Sequence, residues 1–90
     1  MSPRPRVPSE EDLVFTESVI KDSAQIGHIV RNRRVAAGMT QIEAAALCRV
    51  GTRFLSDLEN GKPTAHLGKT LQVLRGLGVE VLLRKKAYGR

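Results

Sequence analysis

Apolar and polar residues alternate with a helical period through the middle of the chain. Between residues 22 and 78, apolar side chains recur every three or four positions, which predicts amphipathic helices. The first helix begins at Asp22 or Ser23, because either side chain can cap a helix N-terminus, and it ends at Gly38. A second helix begins after Thr40, where a capping-box pattern marks its N-terminus.

Two further helices follow, separated by short connections. Residues 49–51 form a tight turn into a third helix of about residues 52–59, which Asn60 and Gly61 end early. The fourth helix covers about residues 66–76. Four to five helices of this length predict a mainly α-helical bundle.

The last apolar pattern has a period of two and therefore differs from the others. In residues 79–86, Val79, Val81 and Leu83 share one face, which predicts a β-strand. A lone strand leaves its backbone groups unpaired, so it needs a partner. That partner is either the segment 18–21 or a second copy of the chain.

The pattern divides the chain into three parts. Residues 1–21 form an N-terminal tail that we expect to be flexible, since residues 1–12 are rich in proline and charge and have little to bury. Within it, residues 18–21 are either a short strand or an unstructured lead-in. Residues 22–78 form the helical domain, and residues 79–90 form the predicted strand and a basic tail.

Charge is unevenly distributed along the chain, whose formal net charge is +6. Residues 1–22 contain three basic and five acidic groups, whereas residues 23–90 contain twelve basic and four acidic groups. A compact basic unit favours a polyanionic partner, because each neutralised phosphate releases counterions. Charge alone does not separate this interpretation from that of a basic protein without such a partner.

Few residues suit catalysis or cofactor binding. The chain has only three aromatic residues, which argues against a deep enclosed substrate pocket. His28 and His66 have no Cys, Asp or second His at ligand spacing, so we expect no metal site. Cys48 lies among apolar helical positions, and we expect it to be a buried thiol. We expect neither an enzyme nor a bound cofactor.

The sequence also bears on location. It contains no signal peptide and no apolar run long enough to span a membrane. We therefore expect a cytoplasmic protein without a membrane partner.

One stretch carries a resemblance to a known family. GMTQIEAAALCRVGTRFLSDLENGKP (residues 38–63) resembles the helix-turn-helix of the XRE family, which includes the lambdoid repressors. The residues that match the family pattern without a gap are Thr40, Gln41, Glu43, Ala45, Leu47, Val50, Leu55, Ser56, Leu58, Glu59, Asn60 and Gly61. The chain has Arg49 where the family usually has Gly, and Ala44 where it usually has Leu. The resemblance implies a lambda-repressor-like bundle, with a strained backbone at Arg49.

The resemblance also implies roles for residues of the third helix. Thr52, Arg53 and Asp57 match positions that face base edges in the major groove. Arg53 is the principal candidate, because its guanidinium group fits O6 and N7 of guanine. Asp57 either accepts a hydrogen bond from a cytosine amino group or orients Arg53. Phe54 either contacts a thymine methyl group or folds back over Ala44.

Other matching residues imply contacts to the DNA backbone. Gln41 matches a glutamine that contacts a phosphate and braces the recognition helix, and we place Thr40 at the same DNA-facing end. Phosphate contacts fix the register of a protein on DNA without reading its sequence. The resemblance also implies phosphate contacts for Ser56, Asn60 and Lys62.

Arg34 and Glu59 match a recurrent pair of charges in the XRE family. In the family this ion pair joins the first helix to the end of the third. The alternative is that Arg34 and Glu59 are two separate, solvated charges. A buried pair would position the third helix without a clear gain in stability.

The C-terminal part of the chain narrows the resemblance. TLQVLRGLGVEVLLRKK (residues 70–86) is similar to HipB-type antitoxins and their Y4mF-type relatives, which repress their own operon together with a HipA-type kinase toxin. This implies a homodimer whose strands pair through Val79, Val81 and Leu83, a palindromic operator in double-stranded DNA, and a kinase-like toxin as partner. The alternatives are a stand-alone XRE repressor and a protein-interaction adaptor that does not read DNA.

Overall fold

A computed structural model describes residues 17–87, and within this range the chain forms four helices. They are α1 (Ser23–Ala36), α2 (Gln41–Cys48), α3 (Thr52–Glu59) and α4 (Leu67–Gly76). The mainly α-helical bundle predicted from the sequence is confirmed, with helix bounds close to the predicted ones. None of the four helices is long and apolar enough to cross a lipid bilayer. Residues 1–16 of the predicted tail, and the chain end from residue 88, lie outside the described range.

The first two helices begin at side-chain caps. Asp22 accepts a hydrogen bond from the backbone N–H of Gln25, and the Gln25 side chain accepts one from the backbone N–H of Asp22. Thr40 and Glu43 repeat this reciprocal arrangement at α2, with distances of 3.1 and 2.8 Å. The backbone N–H of Thr40 is the main reason that the pKa of Glu43 lies below its ordinary value. Both caps satisfy backbone donors that a helix N-terminus leaves unpaired.

The turn between α2 and α3 is kept despite the departure from the family pattern. Arg49 ends α2 in the left-handed conformation, with φ 60° and ψ 44°. A residue with a Cβ atom adopts this conformation at a cost of about 1–2 kcal/mol, which glycine avoids. The strain expected at Arg49 is therefore present, and Gly51 follows as the N-cap of α3.

The core lies where the helices converge. Contacts join α1 to α3, α2 to α3, and α2 to α4. Val30 of α1, Leu55 of α3 and Val73 of α4 are fully buried, each contributing about 1.5–3 kcal/mol relative to an exposed side chain. The other buried apolar residues are Ala44, Ala45, Cys48, Leu58, Leu74 and Leu77. The small residues of α2 let its neighbours pack closely against it.

Gly27 allows α1 to approach the end of α3 very closely. A Cβ atom at this position would lie 2.5 Å from the carbonyl oxygen of Leu58 and 2.8 Å from that of Glu59. Backbone oxygens in a helix cannot move aside cheaply, so a side chain here would push the two helices apart. The contact fixes the position of the C-terminal end of α3.

The strand predicted for residues 79–86 is not formed in the single chain. Leu77 is buried and the backbone N–H of Val79 bonds to the carbonyl of Leu74, but regular structure ends there within the described range. A strand needs a neighbouring backbone for its hydrogen bonds. The segment 18–21 does not provide one, because it too has no strand structure. Of the two partners considered from the sequence, the one within the chain is therefore wrong.

Candidate nucleic-acid interface

The N-terminal end of α3 projects outward from the bundle. Leu55 and Leu58 are buried on one side of the helix, which leaves the opposite side toward solvent. Thr52 is exposed, and the side chain of Arg53 is 94% exposed. The structure therefore presents a cationic side chain at the tip of a short helix.

Asp57 lies between two cations on this exposed side. Its Oδ2 atom is 3.9 Å from Nε of Arg53, one helical turn away, and 3.6 Å from Nζ of Lys62 in the following loop. Ion pairs this exposed contribute little to stability. Their effect is on orientation, because one carboxylate draws Arg53 and Lys62 toward the same part of the surface. Of the two roles considered for Asp57, this geometry favours orientation of Arg53.

Phe54 packs inward instead of projecting with Arg53. It is half-buried against the hydrophobic core, and its ring lies 5.8 Å from Nζ of Lys69 in α4. This separation is within the range of a cation–π interaction. The alternative in which Phe54 folds back toward the core is the one found. The lysine adds a further positive charge near the tip of α3.

An ion pair ties α3 to the rest of the bundle. Nε and Nη2 of Arg34 donate to the two carboxylate oxygens of Glu59, at 2.6 and 2.9 Å. The third nitrogen, Nη1, donates to the carbonyl of Met39 at 2.9 Å. The side chains of Arg34 and Glu59 are only 13% and 4% exposed. This pair, expected from the sequence, thus holds α1, the α1–α2 connection and the end of α3 together.

The surroundings of Glu59 stabilise its charged form. Burial alone would raise the pKa of this carboxyl group, but hydrogen bonds from Arg34 and Gln41 and the charges of Arg34 and Arg31 outweigh burial. The pKa of Glu59 is therefore lowered. The hydrogen bond to Glu59 is also the main reason that the pKa of Arg34 is raised. Both groups remain charged at neutral pH.

Gln41 and Thr40 lie together at the N-terminus of α2. Nε2 of Gln41 donates to Oε1 of Glu59 at 3.1 Å, so its side chain links α2 to the end of α3. The Thr40 hydroxyl accepts the capping hydrogen bond from Glu43. The structure therefore shows the bracing part of the role expected for Gln41.

The loop after α3 is held against α1. Ser56 is half-buried, Asn60 is exposed at the C-terminal end of α3, and Gly61 has a φ of +79°. A Cβ atom on Gly61 would lie 2.9 Å from Cα of Ala24. The hydroxyl of Ser23 donates to the carbonyl of Gly61 at 2.8 Å. These contacts fix the point from which Lys62 extends.

Several of these contacts did not emerge from sequence reasoning. Lys69 meets Phe54 only because the fold brings α4 near the first turn of α3, and no local pattern predicts that pairing. The link between Ser23 and Gly61 likewise joins residues 38 positions apart. Gly27 did leave a signal, because glycine inside a helix often marks a close approach of another backbone.

Comparison with known proteins decides the family. The family described as "helix-turn-helix domain" matches residues 25–87, which include all but the first two residues of α1 and the whole of α2, α3 and α4. The chain belongs to this helix-turn-helix family. Within it, α2 and α3 form the motif, and α3 is the helix that enters the DNA groove in proteins of this class.

Two further comparisons agree with this assignment. A curated protein of Sinorhizobium fredii (strain NBRC 101917 / NGR234), named "Uncharacterized HTH-type transcriptional regulator y4mF", is 50% identical over 62 residues, or 69% of this chain and 82% of that protein. A solved structure titled "MDT Protein" matches with a TM-score of 0.70 and 21% identity, over 79% of this chain and 100% of that chain. The second similarity supports the fold alone. The chain is an XRE-like helix-turn-helix transcriptional regulator.

Proposed function

We propose that this helix-turn-helix protein is a sequence-specific repressor that binds a palindromic operator as a dimer. Arg53 makes the main base contact, as a bidentate donor to a guanine, and Thr52 contacts the neighbouring base edge. The observation that carries this proposal is the 94% exposure of Arg53 at the tip of a braced helix. A rigid helix with a free cationic tip suits the major groove of DNA.

Asp57 supports this base contact by orienting Arg53. Its carboxylate lies near both Arg53 and Lys62, so it directs the two cations in the free protein. A carboxylate facing DNA also repels phosphates, which weakens binding to sites where Arg53 finds no guanine. Asp57 therefore contributes to discrimination between operator and other DNA.

A ring of polar residues fixes the register on the DNA backbone. These residues lie at the N-terminus of α2, in α3 and just after it, and they offer hydroxyl, amide or ammonium donors, which suit phosphate oxygens. The proposed phosphate contacts are Thr40, Gln41, Ser56, Asn60 and Lys62. The hydroxyl of Thr40 can still donate to a phosphate while it accepts the cap, and one N–H of Gln41 beyond its bond to Glu59 can do the same.

The dimer forms through the C-terminal segment, with Val79, Val81 and Leu83 in its interface. Val81 is 49% exposed and Leu83 is 97% exposed in the single chain, so burial against a second copy is favourable. A two-fold dimer also places two α3 helices on successive half-sites of a palindrome, about one DNA turn apart. In a bacterial cell, operator binding would place the protein on the nucleoid.

The regulatory context that we propose is a toxin–antitoxin operon. The similarity of residues 70–86 to HipB-type antitoxins supports a role as the antitoxin subunit, with a kinase-like toxin as partner. A stand-alone repressor is the alternative. Purification of the tagged full chain from its native cells distinguishes the two, because an antitoxin carries a stoichiometric kinase-like protein and a stand-alone repressor does not.

The test of DNA reading is Arg53→Ala. DNA fragments selected from a random pool by the wild-type protein supply the operator sequence, and binding is then measured by titration at fixed salt. Loss of one bidentate guanine contact costs about 1–3 kcal/mol, which is about 5- to 150-fold in affinity per half-site. Binding to random DNA should change much less.

Arg75→Ala is the matched control for this experiment. Arg75 is an exposed cation in the last turn of α4 and is not part of the helix-turn-helix formed by α2 and α3. Its removal lowers the net charge by the same amount and should leave operator preference intact. If Arg53→Ala and Arg75→Ala behave alike, the protein does not read DNA through α3, and the adaptor alternative is favoured.

A further inference from the structure

In the described part of the chain, residues 80–85 expose apolar side chains, and their backbone groups have no hydrogen-bond partner. Within the described range, no hydrogen bond or ion pair involves residues 80–85. Val81, Leu82 and Leu83 are 49%, 69% and 97% exposed. We propose that a second copy pairs with this segment in an antiparallel strand in one defined register, with Leu82 on the two-fold axis. This inference rests on the dimer proposed above and specifies how its strands align.

Two-fold symmetry restricts the registers open to two identical strands. Antiparallel copies are related by an axis perpendicular to the sheet, which keeps each side chain on its own face. Side chains alternate between faces, so residues opposite each other must both be even-numbered or both be odd-numbered. The axis then passes midway between one residue and the same residue of the other copy, and these two residues lie opposite each other. Within the exposed apolar run, that residue is Val81, Leu82 or Leu83.

An axis at Leu82 gives favourable pairs on both faces. Glu80 of each copy lies opposite Arg84 of the other, and Val81 of each copy lies opposite Leu83 of the other. Val79 lies opposite Lys85, whose aliphatic stem can cover the valine while its ammonium group stays in water. Opposite charges and paired apolar side chains both stabilise antiparallel strands. Glu80 is the only acidic residue among residues 60–90, so its placement decides much of the electrostatic balance.

The other two axes create mismatched pairs. An axis at Val81 pairs Val79 with Leu83 and Val81 with its own copy, but it places the carboxylate of Glu80 opposite the apolar side chain of Leu82. An axis at Leu83 places Glu80 opposite Lys86, but it sets Leu82 against Arg84 and Val81 against Lys85. The axis at Val81 loses both Glu80–Arg84 pairs, and the axis at Leu83 loses both Val81–Leu83 pairs. Charge complementarity therefore selects Leu82 over Val81, and apolar matching selects it over Leu83.

Cysteine substitution tests the register in the full-length protein. Directly opposite residues lie about 4.5–5.5 Å apart, which suits a disulfide, whereas diagonal neighbours lie about 7–8 Å apart, which does not. Under mild oxidation, Leu82→Cys should form a covalent dimer, measured on a non-reducing gel. Val81→Cys and Leu83→Cys should remain largely monomeric on the same gel. The native Cys48 is buried, with its pKa raised by burial, so the wild-type protein is the blank.

Each other result of the cysteine series overturns the register. A covalent dimer from Val81→Cys alone or from Leu83→Cys alone moves the axis to that residue. No covalent dimer from any variant removes this segment from the interface. Operator selection by the wild-type protein is a separate measurement, so failure of the register and failure of the proposed DNA reading are distinguishable.

Charge exchange supplies a second, independent measurement. Glu80→Arg and Arg84→Glu each place like charges opposite one another twice per dimer, and each should weaken dimerisation by about tenfold. The double variant restores both pairs with their signs exchanged. Sedimentation should therefore show recovery of the dimer in the double variant, and its absence would exclude the Glu80–Arg84 pairing.

Discussion

Arg34 and Arg53 carry the same charge but contribute differently because their surroundings differ. All three guanidinium nitrogens of Arg34 that carry N–H groups donate to acceptors within the protein, at Glu59 and Met39. Among the described residues, Arg53 has only a distant carboxylate partner, at 3.9 Å, and its side chain is almost fully exposed. Arg34 therefore belongs to the architecture of the bundle, whereas Arg53 remains available to a ligand.

The lowered pKa of Glu59 predicts a specific dependence of stability on pH. A carboxyl group with a folded-state pKa below its unfolded value of about 4.3 stabilises the protein above that pH, and the contribution is lost as pH falls through the folded value. Glu59→Gln should lower the free energy of unfolding at pH 7 by about 1.5–3 kcal/mol, because charge-assisted hydrogen bonds are replaced. Urea titrations between pH 3 and 7 measure the difference.

The two proteins should converge as the pH is lowered. The glutamine of Glu59→Gln cannot titrate, so the difference in unfolding free energy between this variant and the wild type shrinks below about pH 4. The pKa of Glu43 is also lowered, and the variant therefore keeps part of the acid sensitivity. If the difference in unfolding free energy stays constant from pH 7 to pH 3, the ionisation of Glu59 does not contribute to folding.

At the scale of helices, the approach of α1 to α3 depends on Gly27. In an isolated helix, Gly→Ala stabilises by about 1 kcal/mol. In Gly27→Ala the new methyl group meets two backbone carbonyls, and overpacking of this kind typically costs about 1–3 kcal/mol or more. We expect a net loss of stability in thermal unfolding. Gly68→Ala, inside α4, is the control, because only the His66 side chain, which can shift, lies within 4 Å of its added methyl group, and it should leave stability unchanged or slightly raised. Equal effects would contradict the proposed close packing.

Local pattern predicted the helices well because their signals are local. Thr40 and Asp22 cap helices through groups only three residues away, and the apolar spacing of α1 and α4 lies within single segments. The strand predicted for residues 79–86, which the single chain does not form, shows what a local pattern cannot predict. A period of two describes which side chains share a face, but strand hydrogen bonds require a second backbone that the sequence of one chain does not specify.

The site could be predicted only in part, for the same reason. The positions of Arg34 and Glu59 followed from the family resemblance. The inward packing of Phe54 did not, because an aromatic residue in the first turn of a short helix can point to DNA or to the core. The neighbouring helix α4 decides between them, since Lys69 and the core provide partners for the ring.

At the scale of the whole molecule, the net charge of +6 predicts strongly salt-dependent DNA binding. Each phosphate contact adds about 0.9 to the slope of log affinity against log salt. In a symmetric dimer every contact occurs twice, so Lys62→Gln should reduce that slope by about two on the operator. Arg75→Gln should leave it nearly unchanged. A decrease of about one would indicate that a single copy binds the site.

The hydrogen-bonded group of Arg34, Gln41 and Glu59 has a consequence for how fast and how tightly the protein engages its operator. Because three helical segments are locked together before any ligand arrives, the recognition surface is preorganised, and docking resembles the encounter of two rigid bodies. The surface loses its conformational entropy during folding and not on binding. Variants that loosen this group should therefore slow productive association even where every DNA-contacting side chain is retained.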